Sequence, residues 1–199
     1  MNPTLSIRIA TEQDAQSLLT IYSSYVQDTA ITFEYDIPSL EEFKNRIKLT
    51  LQRYPYLVIL KDGEICGYAY ASTFKPRAAY DRAVETTIYL APHCKGGGLG
   101  RQLYMALEAV LKHQNIINLN ACITAAAPPY VDNTSELFHA KLGYTKVAHF
   151  TKCGYKFNAW YDVIWMEKFI AEHVAHPAPF IALSDIDAST INAILKASV

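Results

Sequence analysis

Residues 91–104 read APHCKGGGLGRQLY, with Gly96, Gly97, Gly98 and Gly100 inside five positions at the start of a helical pattern. Glycine costs backbone entropy, so such crowding needs a reason: a turn with positive φ, or a ligand that must touch the backbone. Successive N–H groups with no side chains in the way form an anion nest. A helix N-terminus adds about half a positive charge to it. Lys95 and Arg101 would place full charges at the rim, and a pyrophosphate is the natural guest. The plainer alternative is a turn that only tightens a strand-to-helix connection. The segment is not a Walker A loop, because no Gly-Lys-Ser/Thr follows four variable residues, and Arg101 breaks the dinucleotide fingerprint.

A second chemistry-bearing group lies just upstream. Glu85, in AVETTIYLAP, sits on the strand that runs into this loop, with Thr87 on the same face. A carboxylate on a central strand is expensive to bury without a partner or a use. Lys75 and Arg77, in FKPRAAY, leave the preceding strand near Glu85 by topology. Paired cations at a mouth suit a carboxylate, above all through the bidentate fork of arginine.

These groups need a scaffold, and the chain supplies one. Its 199 residues suit one domain with a tail, and 51% hydrophobic content is enough for a sizeable core. A net charge of −1 gives no sign of nucleic acid or an anionic membrane as partner. The amino-terminal segment lacks a signal-peptide pattern, and no stretch approaches the roughly 20 apolar residues of a membrane span. Cys66, Cys94, Cys122 and Cys153 have no zinc spacing, which fits free thiols. The expectation is a soluble, cytoplasmic protein without a metal.

Periodicity orders the elements. LSIRIA alternates as a strand, and Thr11 with Asp14 opens a helix carrying Leu18, Leu19, Tyr22 and Val26 inward. Ser39 and Glu42 form a capping box for a second helix. YLVILKDGEICGYAYAS is a hairpin about Asp62-Gly63. A strand then leads to the glycine loop and a helix to His113. NLNACIT is a strand, TSELFHAKLGY a short helix, and TKVAHFTK and WYDVIWMEKF the last strands. This β-α-α-β-β-β-α-β-α-β-β order predicts an α/β fold of the α+β type, a mixed central sheet flanked by helices. Residues 1–170 form this domain. Residues 171–199 are expected to be a short appendage with one helix near residues 189–197.

Lys95-x-x-Gly98-x-Gly100 after TTIYLAP resembles the acyl-CoA loop of the GNAT acetyltransferases. F-K-x-R-x-A-Y, V-E-x-T-x-Y, FHAKLGY and G-Y-K-x-x-x-W-x-D together resemble the phosphinothricin and methionine sulfoximine N-acetyltransferase family from about residue 7 to 168. The resemblance implies a GNAT fold, acetyl-CoA as cosubstrate, no metal, and a homodimer that acetylates a small amino-acid-like amine. It implies that Lys95, Gly96, Gly97, Gly98, Leu99, Gly100 and Arg101 cradle the pyrophosphate. Ile88, Tyr89 and Leu90 would pair with the pantetheine arm, and N–H groups near Leu90 would polarise the thioester.

Glu85 would then be the base that deprotonates the amine. His139 stands where many members carry a tyrosine that protonates the leaving thiolate. Phe33, Glu34, Lys75, Arg77, Glu85 and Thr87 would line the acceptor site, and Lys156, Trp160 and Asp162 belong to the closing motif. The family's CoA-touching Asn falls at Asp132 here, with Asn133 beside it, and Asn158 replaces a frequent Gly. Other acceptors that stay open are a polyamine, an aminoglycoside or a protein N-terminus, although Lys75 and Arg77 would repel a polycation. A CoA-binding module without catalysis is the alternative outside enzymes, against which Glu85 argues.

Overall fold

The computed structural model describes residues 4–198; residues 1–3 of the amino-terminal segment and Val199 lie outside the described residues. Strand β1 (Leu5–Ile9) precedes α1 (Ala15–Asp28) and α2 (Leu40–Leu51). The hairpin is β2 (Tyr56–Lys61) and β3 (Glu64–Thr73), and β4 (Ala83–Leu90) runs into the glycine loop and α3 (Leu99–His113). Then follow β5 (Asn118–Thr124), α4 (Thr134–Lys141), β6 (Thr145–Lys156), β7 (Ala159–Phe169) and α5 (Ala188–Lys196).

The strands form one seven-stranded sheet in the order β1-β2-β3-β4-β5-β7-β6. Every neighbouring pair is antiparallel except β4–β5, joined in parallel through the α3 crossover. The α/β expectation therefore holds. Turn chemistry sets the connections: Asp62 and Gly63 both have positive φ, as a two-residue hairpin turn requires. Phe157 and Asn158 do the same between β6 and β7. Asn is the residue after Gly that best tolerates this region, which accounts for Asn158 there.

Helices α1 and α2 pack on one face of the sheet. Tyr22 and Tyr25 of α1 meet Tyr89 of β4 at centroid distances of 5.1 and 4.9 Å. Helix α3 covers the other face with Leu103, Leu107, Val110 and Leu111, all fully buried. The Ser39 cap is half of a capping box. Ser39 Oγ accepts the Glu42 N–H at 3.2 Å, but the Glu42 carboxylate turns to Arg46 instead of back to the cap.

The segment after β7, expected as a short appendage, packs against the rest of the domain. Leu183, Ile191 and Leu195 are buried in the main core. Gln114 Nε2 donates to the carbonyls of Arg53 and Ile181 at 2.7 and 2.8 Å, and the Arg82 guanidinium donates to those of Pro177 and Ala178. The Arg53 guanidinium lies 4.8 Å from the Phe180 ring centroid. Apolar periodicity found the helix; these side-chain-to-backbone bonds from distant turns are what tie it down.

Candidate active site

Strands β4 and β5 pair only over Ala83↔Asn118, Val84↔Leu119 and Glu85↔Asn120. Beyond Glu85 they part, β4 running on to Leu90 and β5 to Thr124, so a cleft opens between them with Glu85 at its apex. Two side chains lash that apex: Asn120 Nδ2 donates to the Val84 carbonyl at 3.1 Å, and Thr86 Oγ1 to the Asn120 carbonyl at 3.2 Å. Past this point β4 has an unpaired edge, which an extended ligand can join as a strand.

Only part of β4 offers that edge. Ala91 N–H donates to the Cys66 carbonyl of β3, so antiparallel alternation turns the main chain of Tyr89 toward β3 and those of Ile88 and Leu90 toward the cleft. Tyr89 thus serves the sheet, and its ring is buried against α1. Leu90 is already engaged: Tyr25 Oη donates to its carbonyl at 2.7 Å and receives its N–H at 3.3 Å. An arm laid along this edge has to share or displace the Tyr25 hydroxyl, a contact that the sequence pattern did not reveal.

The glycine loop closes the far end of the cleft. Gly96 and Gly98 have φ of +84° and +79°, so both adopt the left-handed conformation. A Cβ at Gly96, Gly97 or Gly98 would meet nothing within 4 Å, which leaves open space over the loop. Among the described residues, no N–H from Gly96 to Arg101 donates to a protein carbonyl. Open space over unpartnered N–H groups at a helix N-terminus is what an anion needs, so the loop fits a pyrophosphate. Gly100 is different: its Cβ would press on Leu90 and Phe138 at 3.3 Å, so this glycine lets α3 approach β4 and α4. Lys95 lies at the rim with its ammonium 4.9 Å from the Tyr25 ring centroid, and Arg101 is exposed on the first turn of α3.

Glu85 is half-buried, and burial raises its pKa above the ordinary carboxylate value while the nearby charge of Lys75 opposes the rise. Thr87 and Tyr89 share its face. Thr87 stands opposite Tyr70 in the β3–β4 register, and burial pushes the Tyr70 phenol up to about 12. Next to this face lies a cavity of about 310 Å³ whose lining includes Tyr22, Glu34, Arg46, Tyr56, Tyr70 and Tyr89. Arg46 joins Glu34 at 2.7 Å. Arg46 and the tyrosines carried no recognisable motif, because the cavity forms only when α2 is laid over β2, β3 and β4.

Phe33, Arg77, Asp132 and Asn133, also expected at the site, do not line this cavity. The Phe33 ring packs over Gly154 and Tyr161 and is not among the residues lining the cavity. Arg77 is exposed and has no ion pair among the described residues. Asp132 turns its carboxylate back to the Thr134 N–H at 2.9 Å, starting α4, and feels the charge of Lys95 across the cleft. Asn133 follows it without a capping bond.

His139 corrects an expectation. Its ring is 3% exposed. Its Nδ1 lies 2.8 Å from the Ser135 carbonyl and its Nε2 3.0 Å from Tyr104 Oη. A carbonyl only accepts, so Nδ1 carries the hydrogen and Nε2 accepts from the phenol. Burial lowers its pKa, keeping the ring neutral. Both nitrogens are committed, and no proton is held ready for a thiolate. Lys156, from the closing motif, is 2% exposed and donates to the carbonyls of Val26, Thr29 and Thr32. It holds the loop that carries Glu34. Asp162 accepts from His149 and from the Lys152 N–H, each at 2.8 Å.

A splayed parallel strand pair, with a glycine nest at one end and a shielded carboxylate at its apex, defines an acyl-CoA-dependent acyltransferase. Residues 7–165 match the acetyltransferase (GNAT) domain family. The chain belongs to that family, and it is an acetyl-CoA-dependent N-acetyltransferase. It is 32% identical to the phosphinothricin N-acetyltransferase of Streptomyces coelicolor over 82% of this chain and 95% of that protein. It is 28% identical to the L-methionine sulfoximine/L-methionine sulfone acetyltransferase of Salmonella typhimurium, over 87% and 99%. Among solved structures, a GNAT phosphinothricin acetyltransferase from Sinorhizobium meliloti in complex with AcCoA superposes with a TM-score of 0.81. That match has 32% identity and covers 93% of this chain and 97% of the other. Among the described residues no helix is long and apolar enough to cross a membrane.

Proposed function

We propose that the protein acetylates the α-amine of a small amino-acid-like acceptor, of the phosphinothricin or methionine sulfone and sulfoximine type, and works as a cytoplasmic homodimer. The observation that carries this reading is Glu85, a half-buried carboxylate at the apex of the cleft that opens toward the glycine loop, on the same face of β4 as Tyr89 of the tyrosine-lined cavity. Bound acetyl-CoA supplies the thioester. The N–H groups of residues 96–101, with Lys95 at the rim, hold its pyrophosphate, and the cleft-facing main chain of Ile88 and Leu90 orients its arm. Lys75 neutralises the acceptor carboxylate, with Arg77 free to swing in. Glu85 takes one proton from the ammonium, which frees the lone pair for attack; the C–N bond forms as the C–S bond breaks, and CoA leaves as the thiolate and takes up the second proton that the new amide nitrogen sheds. The names of the relatives support the acceptor class.

The β6–β7 hairpin at the sheet edge supports the dimer. It exposes Val147, Phe150, Tyr155 and Trp160, apolar surface that a second copy would cover. An acetylation screen of amino acids and analogues, with release of free CoA as the signal, tests the acceptor. Turnover confined to polyamines or aminoglycosides would refute it. Light scattering on the purified protein tests the dimer, and a mass near the chain's 22.3 kDa would refute that.

A further inference from the structure

We infer that the cavity beside Glu85 receives the acceptor's side chain and selects one without net charge, a sulfone or sulfoximine rather than a phosphinate. The inference rests on the acetyl transfer proposed above. Among the described residues that line the cavity, Arg46 is the one cation and Glu34 the one anion. Arg46 gives one guanidinium nitrogen to Glu34 at 2.7 Å and the other to Glu42 at 2.5 Å. Burial pulls its pKa down, and the two carboxylates more than restore it. The fork that would clamp an anion is therefore already filled. A phosphinate would have to evict one carboxylate or stand beside Glu34, a like charge.

Neither other nearby cation relieves this. The Lys156 ammonium behind Glu34 is buried and spent on three carbonyls. Lys75 is placed by Glu85, where the acceptor's α-carboxylate belongs. A cationic side chain would have to enter beside the Arg46 charge, with the already paired Glu34 carboxylate as its one counter-ion among the described lining residues. What remains are the phenols of Tyr22, Tyr56 and Tyr70, all held protonated by burial, which can donate to uncharged oxygens.

The test is kcat/KM with acetyl-CoA and, separately, L-methionine sulfone, L-phosphinothricin and L-lysine. The sulfone is expected to lead by roughly tenfold or more, since like-charge juxtaposition is costly. Glu34→Gln frees one arm of Arg46 and should move the ratio about tenfold toward phosphinothricin. Glu42→Gln should move it the same way from outside the cavity, with melting temperatures confirming that both variants fold. Preference of the wild type for phosphinothricin or lysine, or a ratio unmoved in both folded variants, overturns the charge selection and leaves the acetyl transfer standing. Should both variants unfold, the wild-type ranking of the three acceptors decides. Turnover of an unrelated amine with none of the three overturns the acceptor class and the selection with it.

Discussion

At the scale of single residues, Glu85 is a half-buried and His139 a buried polar group, and their surroundings give them opposite fates. Glu85 opens on the cleft, has no hydrogen-bond partner among the described residues and is raised by burial. Glu85→Gln should keep acetyl-CoA affinity and lower turnover at neutral pH by roughly 10² to 10⁴. The loss should shrink as pH rises and free amine becomes abundant; a pH–rate profile of both proteins checks this. A deficit constant with pH would make Glu85 a positioning group. Because its folded pKa is raised, ionising Glu85 costs stability as pH climbs from the ordinary carboxylate range through the folded value. The glutamine variant should therefore melt higher than wild type at neutral pH and equal to it in acid. His139 has the opposite sign of charge and a lowered pKa, so its stabilising contribution is full above the ordinary imidazole range. It is lost as pH falls through that range toward the folded value, because the unfolded chain binds a proton that the buried ring refuses. Denaturant melts should show that slope in wild type and not in His139→Gln.

At the scale of elements, the glycine loop makes the sharpest test, because its three open glycines differ in backbone and not in surroundings. Gly98→Asp puts a carboxylate into the proposed pyrophosphate site and forces a left-handed φ on a residue with a Cβ, at a cost of ~1 kcal/mol. That corresponds to roughly 2–4 °C of melting temperature for a chain of this size. Calorimetry should find acetyl-CoA binding abolished in a protein that still folds. Gly97, with no positive φ, should accept Ala with little loss of stability. Unchanged affinity in folded Gly98→Asp would remove the loop from the site. This loop was legible in the sequence because its chemistry is local: consecutive glycines, a flanking cation and a helix start. The Asp62-Gly63 turn and the Thr11–Asp14 cap were legible for the same reason. Tyr25 on Leu90, Arg46 on Glu34, and Lys156 beneath Val26 were not. Each joins residues that the fold brings together across 65 positions, between elements, or across 130 positions. His139 misled because its place in the motif is right, while its burial is decided by Tyr104 of another helix.

At the scale of the whole molecule, the sheet works from two ends. The nest lies past the last residue of β4, whereas the carboxyl-terminal segment is fastened to the turns before β2, β4 and β5. Leu183 N–H donates to the Arg53 carbonyl and Ile181 N–H to that of Gln114, while Asn115 Nδ2 donates to Pro179. Arg53 also pairs with Asp81 at 3.1 Å, on the loop that carries Lys75 and Arg77. Removing the segment therefore strips three anchors from the proposed acceptor end of the sheet and none from the glycine loop. Burial of side chains such as Leu183, Ile191 and Leu195 contributes ~1.5–3 kcal/mol each, against a total stability of about 5–15 kcal/mol. Deleting residues 172–199 should accordingly lower the melting temperature by well over 10 °C, at roughly 2–4 °C per kcal/mol for this size. Phe180→Ala separates local from global effects, since it releases Arg53 from the ring without emptying the main core. It should raise the acceptor KM several-fold, leave the acetyl-CoA dissociation constant unchanged, and cost only a few degrees. Thermal melts, calorimetry with acetyl-CoA and acceptor titrations of the two variants measure these in turn. A deletion variant that melts with the wild type would show that the tail's buried side chains contribute nothing. A Phe180 variant that loses acetyl-CoA binding while keeping its acceptor KM would show that the two ends of the sheet are not independent.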